Sequence, residues 1–150
     1  MEKKVITKEK KEVVKKEKER YTETVGRRKT SIVRVRLYQT KEKHGGKYDV
    51  VVNDVPFTKY FPIEKQRKTV VSPFMKTEEM YRVTAYAKGG GIFSQAEALR
   101  LGITRALISL HPDTRSKLKA LGYLKRDPRM VERKKFGSRK ARRPQQWRKR

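Results

Sequence analysis

The side chains of this chain whose types and spacing can do chemistry are mostly cations. Arg27, Arg28 and Lys29 are consecutive beside Gly26, Arg34 and Arg36 alternate with apolar residues, and Lys88 runs into Gly89, Gly90 and Gly91. In residues 125–150, 13 of 26 side chains are Lys or Arg, opposed only by Asp127 and Glu132. Like charge packed so closely repels itself. The few apolar residues there (Met130, Val131, Phe136, Trp147) do not recur at a helix or strand period, so this end builds no core and is expected to be disordered alone in water. It becomes ordered only against fixed opposite charge, and the dense source of that is a phosphodiester backbone. The chemistry on offer is phosphate binding.

Bond-making chemistry has no recognisable residue set. With no cysteine in 150 residues, disulfides, zinc ribbons and thiolate catalysis are closed. His44 and His111 are too few and too scattered for a metal site, and His44 reads as a solvated loop residue. No Ser lies in a nucleophile elbow and no carboxylates pair at a catalytic spacing, so no enzyme activity, cofactor or small-molecule substrate is expected. The triple glycine invites a nucleotide phosphate loop, yet GGGIFSQA lacks the Gly-Lys-Ser/Thr that such a loop needs. Two readings of Gly89, Gly90 and Gly91 stay open: a tight turn of the chain, or a bare main chain that an RNA phosphate can approach.

Over the whole chain, 42 basic residues face 16 acidic ones for a net charge of +26. A globule so charged is penalised by self-repulsion, which makes a polyanionic partner part of its normal state. Nucleic acid is the first candidate and an acidic membrane surface the second. The sequence contains no run of about 18 apolar residues that could span a bilayer. The N-terminus has no apolar signal core and is too rich in Glu for a presequence, so a cytoplasmic location and no membrane insertion are expected.

The elements that must position these cations follow from period. Residues 1–20 alternate Lys and Glu around thin apolar pairs and read as a charged, disordered extension, a frayed surface helix being the alternative. Val33, Val35 and Leu37 face one side of a strand, with Arg34, Arg36 and Tyr38 on the other, and Arg27, Arg28 and Lys29 form a basic loop before it. Gly45-Gly46 predicts a turn that joins this strand to residues 47–53 as a hairpin. After the Asn53-Asp54 turn, Pro62 begins a helix that runs to Ser72 with Ile63, Val70 and Val71 inward, Tyr60 and Phe61 wedging it against the sheet. Residues 80–88 alternate again, Tyr81, Val83, Ala85 and Ala87 against Arg82, Thr84, Tyr86 and Lys88. A long helix follows, with Ala96, Leu99, Ile103, Ala106, Leu107 and Leu110 inward and Ser94 with Glu97 as a capping box. A shorter helix over residues 113–121 turns Leu118 and Leu121 inward and stops at Gly122. The sum is an α+β fold: a small mixed sheet over residues 21–124, helices packed on one face and cations on the other.

Three stretches, GRRKTSIVRVRL, GGGIFSQAEALRLGITRAL and RDPRMVERKKFGSRKARRPQQWRKR, stand in order with VNDVPFTKYFP between the first two. As a collinear set they resemble the universal family of protein nine of the small ribosomal subunit, in its bacterial form. The resemblance implies a left-handed βαβ crossover of the type found in the second domain of another small-subunit protein. It implies a place in the subunit head on small-subunit rRNA, beside neighbouring head proteins, and a long extended basic C-terminal tail threaded through that rRNA. Lys149 and Arg150 would form the tip that touches the anticodon stem-loop of the peptidyl-site tRNA. Arg139, Lys140, Arg142 and Arg143 fall in the rRNA-embedded stretch, and Arg126, Arg129, Arg133, Lys134, Lys135 and Arg148 are taken as rRNA contacts with it. On the body the expected rRNA contacts are Arg27, Arg28, Lys29, Arg34, Arg36, Lys88 and the three glycines. Asp54 stands where the family usually has glycine, and Trp147-Arg148 where it usually has a smaller aromatic and a small polar residue. Phe136 and Trp147 either stack on RNA or pack against protein. Two other classes compete: a protein subunit of an RNA-processing ribonucleoprotein such as ribonuclease P, and a nonspecific DNA-compacting protein.

Overall fold

The computed structural model describes residues 20–40, 48–77 and 79–149. The expectations for the N-terminal extension up to residue 19, for His44 with the Gly45-Gly46 turn, and for Arg150 lie outside the described residues. Five strands, β1 (Tyr21–Arg28), β2 (Ser31–Gln39), β3 (Tyr48–Val52), β4 (Val55–Pro56) and β5 (Tyr81–Lys88), form one mixed sheet in the order β1-β2-β5-β3-β4. Among the described residues four α-helices, α1 (Phe57–Tyr60), α2 (Glu64–Val71), α3 (Ile92–Leu110) and α4 (Arg115–Ala120), and two short 3-10 turns (Phe74–Lys76 and Pro112–Thr114) accompany it. The α+β architecture expected from the alternating and helical periods is the one observed.

Alternation does the sorting. Val33, Val35 and Leu37 on β2, Val83, Ala85 and Ala87 on β5, and Val50 and Val52 on β3 are buried under Ala96, Leu99, Ile103, Ala106 and Leu107 of α3, Val70 of α2 and Leu118 of α4. Residues between them in sequence face the other way, as a two-residue period requires.

Strand pairing departs from the expected hairpin. β2 does not pair with β3; β5 lies between them, antiparallel to β2 and parallel to β3. The helical connection from β3 through α2 to β5 is therefore the crossover of a βαβ unit. Alternation specifies which face a residue takes, but the identity of the neighbouring strand rests on long-range packing that a local turn signal does not carry. The two hairpins that do form are tight. Arg28 pairs with Ser31 around Lys29, whose φ is +50°, and Val52 pairs with Val55 around Asn53 and Asp54, at +48° and +64°. Positive φ at both central residues is the turn geometry that matches the strand twist, and Asp54 adopts it where glycine would be free of steric cost.

β1 was not expected as a strand, and its composition explains why. Its inward residues are Thr22, Thr24, Gly26 and Arg28, with no apolar alternation to read. The first three are small because α3 crosses there at backbone distance: a Cβ on Gly26 would stand 1.8 Å from the Ala98 carbonyl oxygen, and one on Gly102 would meet Val35 at 2.5 Å. Thr24 Oγ1 donates to the Gly102 carbonyl at 2.8 Å in the same seam.

The helices also refine the expectation. α2 starts at Glu64, two residues past Pro62, and Ile63 is exposed, because Phe61 takes the core position and Arg67 holds the Phe61 and Pro62 carbonyls at 2.7 and 2.6 Å. Of the two aromatics expected to wedge that helix against the sheet, Phe61 is buried in the core, while the Tyr60 hydroxyl donates to Gln95 Oε1 of α3 at 2.7 Å. Ser94 and Glu97 form no capping box. Gly91 is the N-cap, Ser94 is buried inside the first turn, and Glu97 is drawn to Arg28 at 2.7 Å, a tertiary pair that displaces the local one. Leu118 is buried as expected, whereas Leu121 is exposed; Gly122 ends α4 at φ +73°. After it, the described residues form turns and one bridge, Lys140 with Arg143.

Two substitutions test this packing by urea unfolding. Gly26→Ala forces backbone apart and should lower stability by about 3 kcal/mol or more. Asp54→Gly relieves a left-handed residue and should raise it by about 0.5–1 kcal/mol.

Candidate nucleic-acid interface

The register identifies the open face of the sheet residue by residue. Cross-strand partners share a face, so the rows Arg27–Ile32–Lys88, Val25–Arg34–Tyr86, Glu23–Arg36–Thr84 and Tyr21–Tyr38–Arg82 all lie opposite the core. Parallel pairing adds Asp49 beside Arg82 and Val51 beside Thr84. Arg27, Arg34, Arg36, Arg82 and Lys88 thus gather from three adjacent strands onto one surface, with Glu23 and Asp49 as the acids there.

Aromatic rings sit among these cations. The Arg36 guanidinium lies 5.1 Å from the Tyr21 ring centroid, and that of Arg82 lies 5.7 Å from Tyr38. Tyr86, opposite Arg34 in the register, is 58% exposed. Glu23 accepts from Arg36 at 2.9 Å and approaches Arg34 at 3.9 Å, which orients both side chains and pushes the Arg36 pKa up. A groove of about 360 Å³ opens at this place, lined by Arg34, Arg36, Tyr38, Asn53, Thr84 and Tyr86, with Asp54 as a further acid in its wall. Guanidinium groups beside tyrosine faces suit a phosphate and an unstacked base together. Among the described residues no group of three or more His, Cys, Asp or Glu side chains could hold a metal.

Arg28 goes the other way. By register it faces the helices, its side chain is 11% exposed, and its three nitrogens are all engaged. Nε donates to Glu97 at 2.7 Å, one terminal nitrogen donates to the Arg129 carbonyl at 2.6 Å, and the other meets Asp127 at 3.0 Å. In the structure Arg28 is the clamp that ties the start of the C-terminal segment to β1 and α3. Arg129 closes the knot from outside. Its guanidinium and backbone N–H both donate to the Asp127 carboxylate, and with a smaller contribution from Arg28 they hold that carboxyl well below the usual range, at about 2.

The glycines divide. Gly89 and Gly90 have φ of +74° and +64°, and a Cβ would meet the Thr30 carbonyl at 2.8 Å or Ser31 Oγ at 2.0 Å. The Gly89 carbonyl accepts from Ser31 Oγ at 3.0 Å and Gln95 Nε2 at 3.1 Å, so packing of this turn accounts for both residues. Gly91 has open space on its Cβ side. Lys29 and Lys88 are exposed nearby, at the same end of the sheet.

Along the C-terminal segment, Arg126, Arg129, Arg133, Lys134, Lys135, Arg139, Lys140, Arg142, Arg143, Arg148 and Lys149 are all exposed. Glu132 pairs with Arg142 at 2.8 Å. Phe136 is fully exposed and Trp147 is 93% exposed, so neither packs on this protein's own body. The residues expected from sequence did not include Arg82, which the alternation of β5 had already assigned to the basic side. Nor did they include Arg100 and Lys65, whose helical setting offers no sequence signal for a groove.

A basic groove on the sheet is equally what a ribonucleoprotein-processing subunit would present, so surface chemistry does not choose between these classes. Homology does: the profile of the family described as ribosomal protein S9/S16 matches residues 26–150. The chain belongs to that family. Small ribosomal subunit protein uS9 of Amoebophilus asiaticus is 47% identical over 128 residues, which cover 84% of this chain and 95% of that protein. The protein of the same name from Cytophaga hutchinsonii is 44% identical over 128 residues, with the same two coverages. The family is one of ribosomal proteins, structural components in place of enzymes, and this removes the processing-subunit and DNA-compacting alternatives.

The low value of Asp127 has a sign that can be measured. Because its folded pKa lies below the ordinary 3.8, the contribution of Asp127 to this knot is full above that pH and is lost as pH falls through about 2. The Asp127 carboxyl should therefore titrate near 2 by NMR, and a value near 3.8 would show the knot to be open.

Proposed function

We propose that this protein is a structural component of the small ribosomal subunit head. Its body, residues 21–124, holds small-subunit rRNA, and its tail, residues 125–150, threads through that rRNA to the peptidyl-site tRNA. The observation that carries the reading is that the family match continues through the cationic tail to residue 150, so the tail belongs to what the family shares. The names of the two relatives supply the particle.

On the body, Arg27, Lys29, Arg34, Arg36 and Lys88 contact phosphates, with Tyr38 and Tyr86 as stacking surfaces. Arg28 acts from within, setting where the tail departs. The exposed tail cations, from Arg126 to Arg148, neutralise phosphates along its path, and Phe136 and Trp147 stack on bases or ribose or meet a neighbouring head protein. Lys149 and Arg150 lie beside the anticodon stem-loop. Cations on phosphate fix position without reading sequence, so such a tip serves every tRNA alike. Its contribution is modest and screened by salt, suited to retaining tRNA and frame.

Removing Lys149 and Arg150 should leave subunit assembly intact and weaken peptidyl-site tRNA binding by severalfold, more at low salt than at high. Footprinting of the anticodon stem-loop on full-length and truncated subunits reads this directly. An unchanged footprint would reject the role of the tip.

A further inference from the structure

The sheet face and the tail leave one basic surface unused. Where α2 packs on α3, a groove of about 480 Å³ is lined by Glu64, Lys65, Lys68, Thr69, Arg100 and Tyr123. Arg100, on α3, lies over the Tyr123 ring at 4.9 Å from its centroid. The same arginine lines two further hollows, one with Lys125 and Arg126 beside the Arg28–Asp127 clamp, the other with Gly122 and Pro128. Three concavities meeting at one side chain make a continuous track from α2 to the root of the tail.

Its acids are already committed. Glu64 binds Lys68 at 2.7 Å, and Glu97 and Asp127 bind Arg28. Among the described residues no carboxylate comes within ion-pair distance of Lys65, Arg100, Lys125 or Arg126. The Lys68–Glu64 pair is mostly solvent-exposed, and an exposed pair of this kind contributes little, so Lys68 is available to a stronger anion. A guanidinium held over a tyrosine ring loses less freedom when it meets a phosphate than a free one does. Protein interfaces are depleted in lysine at their centres, whereas lysine and arginine line each of these hollows.

We propose that this track is a second RNA-backbone site, centred on Arg100, so that the body is held between two RNA segments, one on the sheet and one on the helices. The inference rests on the rRNA-binding reading above and extends it to a face which that reading does not use.

The absence of cysteine makes the test clean. Ile32→Cys on the sheet face and Lys68→Cys in the track, each carrying a tethered iron chelate as a hydroxyl-radical source, are assembled into small subunits. Two different stretches of rRNA should be cleaved, one from each position. Cleavage from Ile32→Cys alone, or cross-linking of Lys68→Cys to a neighbouring protein in place of rRNA cleavage, overturns the second site and leaves the first. No cleavage from either overturns the rRNA-binding reading itself. As an independent measure, the combined Lys65→Ala, Arg100→Ala and Lys125→Ala variant should reduce the slope of log affinity for small-subunit rRNA against log salt by about 2, at roughly 0.7 for each phosphate that is no longer neutralised. An unchanged slope rejects the proposal.

Discussion

How closely α3 can lie on β1 governs the arrangement of nearly everything else. The inward positions of β1 hold threonine, glycine and one arginine, and at Gly26 the strand meets the Ala98 carbonyl with no room for a side chain. With α3 seated there and across β2, one face of the sheet is closed by Leu99, Ile103 and Leu107. The two-residue period then leaves the alternate side chains on the other face. Cations collect on that face as the geometric consequence of a core on this one.

Arg28 is the exception that gives the fold its second organising contact. It is the inward residue at the end of β1, and a guanidinium on the core side requires partners. Glu97 from α3 and Asp127 from the start of the C-terminal segment supply them at 2.7 and 3.0 Å. One side chain thereby joins the hairpin, the long helix and the root of the tail. Other acids among the described residues are used in the same way: Glu23 pairs with Arg36 and approaches Arg34, and Glu132 pairs with Arg142. Because the few carboxylates shape the protein locally, the excess positive charge remains on its surfaces for a polyanion.

The degree to which the sequence reveals this arrangement varies by element. β2, β5 and α3 were legible because each combines a clear period with enough length; the core residues read from them are buried, except Leu110, which is only partly so, while Ala98 and Leu101 of α3 are buried as well. The basic face followed from the same alternation. β1 was hidden, since a strand whose inward side is chosen for close approach carries no apolar pattern. The capping box at Ser94 and Glu97 was a sound local signal overridden by an ion pair with a residue 69 positions away. The hairpin from β2 to β3 failed for a related reason: a glycine pair marks a turn without saying which strand lies next to which.

By itself, the order of residues determined that this chain seeks a polyanion, that its C-terminal segment has no core of its own, and which side of each long strand faces apolar neighbours. These follow from charge and period, which are properties of the chain before it folds. The insertion of β5 between β2 and β3, the diversion of Arg28 from the basic face to the clamp, and the meeting of three hollows at Arg100 were decided only in three dimensions. Each depends on which distant segments come within a few ångströms of one another, and no local pattern records that distance.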